Sequence, residues 1–158
     1  MNLKKLGVIV NTHGIKGEVR IISNFEYKDR IFAIGNCIYT SENEELKIDS
    51  YRKHKNYDMI TFNKINDIKD VLKYKGKNVY YDKDKLKLNS DEYLDDDLID
   101  LDVYFNNSLI GKISDIEINA DRKLFVINNK LIPYNDNFID KIDLSNKKII
   151  LKNIEGLI

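Results

Sequence analysis

The chain has 158 residues, 42% of them hydrophobic, with 26 Lys and Arg balanced by 26 Asp and Glu. That suffices for one large domain or two small ones with a packed core. No apolar run approaches the ~18 residues of a membrane span, and Leu6-Gly7-Val8-Ile9-Val10 is too short for a secretory leader. The single cysteine, Cys37, cannot form an internal disulfide and lies among Ile34, Ile38 and Tyr39, so it reads as a buried strand residue in a cytoplasmic protein.

The first half reads as strands. Segments 3–11 and 18–23 form a β-branched hairpin around Gly14-Ile15-Lys16-Gly17. Strands follow at 36–40, 45–51, 58–62 and 78–81. Between the last two, Asn66 or Asp67 is a good N-cap, Ile68, Val71 and Leu72 recur at helical spacing, and Gly76 is a good C-cap. That pattern predicts one short helix.

The second half is strands separated by polar turns: 101–105, 108–118, 123–127, 130–134 and 148–151. Asn106-Asn107 and Asn128-Asn129 suit tight hairpins, because Asn tolerates the left-handed conformation they demand. Many short strands with regular turns imply an all-β fold. Closed barrels fit these lengths, since closure removes exposed edges. The neutral total charge hides a split. Residues 1–90 carry 18 Lys and Arg against 12 Asp and Glu, net +6; residues 91–158 carry 8 against 14, net −6. The sign changes at Leu88-Asn89-Ser90-Asp91-Glu92, which suggests two units with different partners. The expected division is a domain at 1–87, a linker at 88–96 and a second domain at 97–158.

Three stretches carry candidate chemistry. Gly14-Ile15-Lys16-Gly17 has the form of the nucleic-acid clamp of KH domains, but that loop joins helices and these flanks are strands. It also lacks the spacing of a P-loop. What remains is a strand–loop–strand with His13, Lys16 and Arg20 near a backbone able to hold phosphate; the alternative is a hairpin whose glycines serve only its geometry. Arg52-Lys53-His54-Lys55, beside Tyr51 and Tyr57, has the basic and aromatic character of an RNA-binding surface, or is a solvated loop between strands. With only His13 and His54 and no Cys/His cluster, no zinc site is expected. The run Asp95-Asp96-Asp97, with Asp100 and Asp102, is either an acidic surface for a basic partner or, through Asp95, Asp97 and Asp100, a Mg²⁺ site for phosphodiester cleavage.

These blocks resemble, in order and across nearly the whole chain, the RimM family of bacterial ribosome maturation factors. Thr12-His13-Gly14-Ile15-Lys16-Gly17-Glu18-Val19-Arg20 looks like its N-terminal signature. Phe62-Asn63-Lys64-Ile65-Asn66-Asp67 and Leu72-Lys73-Tyr74-Lys75-Gly76 resemble its next block. Asp97-Leu98-Ile99-Asp100-Leu101-Asp102-Val103, Gly111-Lys112-Ile113, Leu131-Ile132-Pro133-Tyr134 and Glu155-Gly156-Leu157-Ile158 are similar to its PRC-barrel half.

The resemblance implies an N-terminal six-stranded barrel of translation-factor type and a C-terminal PRC barrel. It implies a monomeric, non-catalytic factor without cofactor or metal, which assists 16S rRNA maturation on the small ribosomal subunit. The implied partner is the nineteenth small-subunit ribosomal protein, whose basic character matches the −6 half. On this reading Tyr93, Leu94 and Asp97 meet that protein, and His13, Lys16, Arg20, Arg52 and Lys53 meet rRNA. The alternative function is a Mg²⁺-dependent RNA-processing nuclease. The chain departs from the family at Tyr93-Leu94-Asp95, where Tyr-Tyr-Trp is usual, and at Asp100, where glycine is usual.

Overall fold

A computed structural model describes residues 1–158. Alternating apolar residues produce six antiparallel strands in the first unit, Met1–Asn89. They are β1 (Leu3–His13), β2 (Glu18–Ile22), β3 (Cys37–Thr40), β4 (Glu45–His54), β5 (Tyr57–Phe62) and β6 (Asn78–Asp82). They close into a barrel in the order β1-β2-β5-β4-β3-β6. Val19, Ile21, Leu46, Ile48, Ile60, Phe62 and Val79 point inward from their strands and are all essentially inaccessible to solvent.

Strand β1 serves both edges of the closure. It pairs with β6 over Leu3–Val8 and with β2 over Val8–His13. Gly7 sits at the changeover, next to a register shift. A Cβ there would lie 2.3 Å from the carbonyl oxygen of Ile22, so only glycine fits.

One polar cluster is built into this unit. Asp58 is fully buried; its Oδ1 accepts the Tyr51 hydroxyl at 2.6 Å. Lys28 Nζ lies 2.7 Å from Oδ2, off the hydrogen-bond direction, so it neutralises the charge without satisfying that oxygen's lone pair. Lys28 opens α1 (Lys28–Ile31), a four-residue helix that the sequence pattern does not announce.

The helix expected between Asp67 and Gly76 is corrected to two short 3₁₀ turns, Ile68–Asp70 and Leu72–Tyr74. Asp67 does cap, accepting the Lys69 N–H at 2.9 Å. The barrel, however, holds both ends of the segment. Gly76 N–H donates to the Ile9 carbonyl of β1 at 2.7 Å, and Ile68 N–H to the Ile15 carbonyl at 2.9 Å. Ile68, Val71 and Tyr74 face the core at a period of three, while Leu72 is exposed.

The second unit is Ser90–Ile158. It contains β7 (Asp102–Phe105), β8 (Ser108–Asn119), β9 (Arg122–Ile127), β10 (Lys130–Pro133), β11 (Ile139–Asp143) and β12 (Lys148–Leu151). They form one sheet in the order β10-β9-β8-β7-β12-β11, with β12 parallel to β7. Ile132 of β10 and Ile139 and Ile142 of β11, from the two ends of that order, pack on one core with Val103, Ile113, Phe125 and Ile149. The sheet therefore wraps around its core. Asn106, Asn107, Asn128 and Asn129 all have φ between 51° and 64°, as two-residue hairpin turns require. Strand β11 escapes a period-two reading because a register shift between Ile139 and Lys141 displaces its apolar residues. No helix is long and apolar enough to cross a membrane.

Replacing Gly7 with alanine forces the β1–β2 ladder apart. Thermal and urea unfolding of Gly7→Ala should show a drop in stability of roughly 3 kcal/mol. An unchanged midpoint would remove Gly7 from its place as the closure point.

Candidate nucleic-acid interface

Pairing register decides which basic side chains share a face. Arg20 pairs with Met59, and Met59 with Arg52, so both arginines stand in one row across β2, β5 and β4. Val19 and Ile21, on either side of Arg20, face the core, so this row faces outward. Lys53 pairs with Asp58 in the neighbouring row. The sequence expectation of a basic loop is corrected here: Arg52–His54 belong to β4, and only Lys55 and Asn56 form the turn. Strand alternation splits the run. Tyr51 is partly buried against the core, stacked on Phe32 at 5.2 Å, and the aromatic residue beside Arg20 is Tyr57.

The outward cluster is specific in geometry. Arg20 Nη2 donates to His13 Nδ1 at 2.7 Å. Arginine has no acceptor, so the guanidinium is the donor in this contact. The Arg20 guanidinium also lies 5.4 Å from the Tyr57 ring centroid, and the His13 and His54 rings are 5.9 Å apart. Arg52 donates to both oxygens of Glu18, at 2.9 and 2.7 Å. This bidentate bond holds the Glu18 carboxyl below its ordinary value, with the Arg52 charge adding to it against the cost of burial. Glu18 thereby reduces repulsion among the cations and consumes part of Arg52's hydrogen-bonding capacity. Sequence reasoning does not single out Glu18 or Tyr57 as site residues. Their signal is cross-strand pairing, which appears only once register is known.

Lys16 sits on the exposed loop and lines, with His13, Ile15, Glu18 and Thr61, a cavity of about 440 Å³. The loop is pinned. Gly17 has φ +90°, and a Cβ there would meet the Ile65 carbonyl oxygen at 3.0 Å. His13, Arg20 and Arg52 are thus brought together, Lys16 borders them, and Lys53 stands apart.

In the second unit Tyr93 is half-buried against the core and Leu94 is only 4% exposed. Asp97 Oδ2 accepts the Leu94 N–H at 2.9 Å, opening the 3₁₀ turn Asp95–Leu98. Asp95 Oδ2 lies 2.6 Å from Lys123 Nζ. Tyr134 stacks on Phe125 at 4.4 Å under the Lys123 ammonium. Burial, together with Tyr93 and Asp95 around its hydroxyl, drives the Tyr134 phenol far above its ordinary range. Asp95 therefore anchors the start of this unit to β9 and the residue after β10. Asp100 takes φ +68°, the left-handed conformation that suits the glycine usual in the resembling family. Asp95, Asp97 and Asp100 do not gather: no group of three or more His, Cys, Asp or Glu side chains is arranged to hold a metal ion.

The RimM N-terminal domain family matches residues 4–86, and the RimM PRC barrel domain family matches residues 95–157. The chain belongs to the RimM family of ribosome maturation factors. It is 37% identical over 163 aligned positions to the ribosome maturation factor RimM of Staphylococcus haemolyticus (strain JCSC1435), covering 98% of each chain. It is 35% identical to that of Staphylococcus aureus (strain bovine RF122 / ET3-1), again covering 98% of each. It is 36% identical to that of Ligilactobacillus salivarius (strain UCC118), covering 99% of each. Within the matched N-terminal domain, Arg20 with His13 and Arg52 with Glu18 are two bonded pairs on one outward face.

Removing the bidentate partner should release Glu18. In Arg52→Gln, the Glu18 carboxyl followed by carbon NMR should titrate at higher pH than in the parent, back toward the ordinary 4.5. A depressed carboxyl contributes stability above its unfolded value and loses it as pH falls through its folded value. The parent's contribution therefore fades below about pH 4.5, and the variant should lack that acid-side loss. Identical titrations would mean that Arg52 does not hold Glu18 in solution.

Proposed function

We propose that this RimM-family chain is a non-catalytic assembly factor for the small ribosomal subunit, acting in the cytoplasm as a monomer. Its first unit meets 16S rRNA phosphates through Arg20, His13, Lys16 and the free edge of the Arg52 guanidinium. Its second unit holds the basic nineteenth ribosomal protein of the subunit head. The single observation that carries the reading is the outward row of Arg20 and Arg52 around Tyr57 and the two histidines. Such a face offers fixed donors and a stacking surface together, which is the chemistry of RNA backbone and loop recognition. The contrast of +6 and −6 between residues 1–90 and 91–158 supports two different partners.

Tyr93 and Asp97 lie on the segment assigned to the protein partner, and buried Leu94 holds that segment in place. Lys53, exposed near the end of β4 and in the row next to that of Arg20 and Arg52, adds positive charge beside the cluster rather than within it.

The double substitution Lys16→Ala, Arg20→Ala should weaken association with the free small subunit. It should also flatten the plot of log affinity against log salt by about one to two units, one for each phosphate the variant no longer neutralises. An unchanged slope removes both residues from the interface. For the second unit, the full chain on affinity resin should retain the purified ribosomal protein, and Tyr93→Ala should weaken retention about tenfold. Failure of the parent chain to retain it overturns the partner assignment.

A further inference from the structure

Away from the Arg20 row, the first unit carries a second cavity, of about 450 Å³, where β3, β6 and α1 meet. Its rim holds the cations of Arg30, Lys85 and Lys87. Its one lining carboxylate, Asp82, is 6% exposed, and its Oδ1 is already engaged by the N–H groups of Asn2 and Asp84 at 3.1 Å each. Positive charge therefore prevails at the mouth. The floor is apolar: Ile31 and Tyr81 are buried, and Leu86 partly so.

The deciding group is Tyr39. It is 2% exposed, lines this cavity, and accepts a hydrogen bond from Lys85 Nζ at 3.2 Å. Lysine only donates, so the phenol keeps its own proton. That proton is not used in the bond from Lys85. Tyr39 and Lys85 together thus present two donors to a single incoming oxyanion. The volume falls in the range of small-molecule sites, roughly 300–1,000 Å³, and exceeds what one phosphate fills.

We propose that this cavity binds a phosphoryl oxyanion carried on a nucleotide-sized body. The Tyr39 hydroxyl and the Lys85 ammonium donate to the phosphoryl oxygens, Lys87 and Arg30 supply the surrounding charge, and Ile31, Tyr81 and Leu86 take the attached apolar surface. Arg30 is held for this by its bond to the Lys87 carbonyl at 3.3 Å. The site is independent of the rRNA reading of the Arg20 row. Its phosphoryl group comes either from a free phosphomonoester or from an RNA strand.

The test is a nitrogen-15 NMR titration of the full chain at constant ionic strength, with sodium chloride as the control salt. The probes are inorganic phosphate, adenosine 5′-monophosphate and a six-nucleotide RNA without a terminal phosphate. Amides of Gly35, Asn36, Cys37 and Tyr39 should shift with phosphate, and at lower concentration with adenosine monophosphate. Tyr39→Phe and Lys85→Met, each conservative in volume, should each weaken binding about tenfold. Lys16→Ala, Arg20→Ala should leave it unchanged, which separates this site from the proposed rRNA face. Cavity shifts with the monophosphate alone assign a free phosphomonoester; cavity shifts with the RNA as well assign a strand. No cavity shift with any probe, or shifts equally strong in the Tyr39→Phe, Lys85→Met double variant, would overturn the proposal.

Discussion

Closure of the first barrel depends on a single close approach, that of Gly7 to the Ile22 carbonyl. Strand β1 must pair with β6 at one end and β2 at the other, and the change takes place where a side chain would collide with backbone. Once closed, the barrel leaves no sheet edge open and buries a continuous core. The rest follows from it. β1 and β2 hold His13 opposite Glu18 and Asn11 opposite Arg20, and the closed ladder sets Arg20 in line with Arg52 two strands away. The 68–76 segment is tied at its two ends to β1 and the loop after it, through the N–H groups of Gly76 and Ile68.

Charge is organised differently in the two units. In the first, an acid sits among bases: Glu18 ties down Arg52 and leaves Arg20 to His13 and Tyr57. In the second, a base sits among acids: Lys123 takes Asp95 against the Tyr134 ring. In these two places a minority charge holds a local shape. This bears on the departure from the family's aromatic pattern at 93–95. Asp95 cannot fill the place of a large aromatic ring, but its ion pair with Lys123 and its position beside the Tyr134 hydroxyl keep the segment anchored. Asp100, where glycine is usual, adopts the positive φ that glycine would.

Much of the fold is legible because period-two burial is a local signal. Eleven of the twelve strands stand out as alternating apolar runs, and the Asn-Asn pairs mark their turns. β11 is hidden by its register shift, which breaks the alternation. The expected helix fails because an i, i+3 spacing fits both helix types, and the core accepts Ile68, Val71 and Tyr74 at a period of three between two ends tied to the barrel. Of the candidate site, the glycine loop and Arg20 are visible as a motif, whereas Glu18 and Tyr57 are not.

The all-β character, the two charge halves and membership of the RimM family are legible in the chain alone, because composition, alternation and ordered motifs are local properties. That Arg20 and Arg52 share a row without Lys53, that Tyr51 packs on Phe32, and that Tyr39 and Lys85 meet over a cavity emerge only in three dimensions. These depend on strand register and barrel closure. A shift of one residue reverses the face of every side chain, and no local pattern records which carbonyl lies across the ladder.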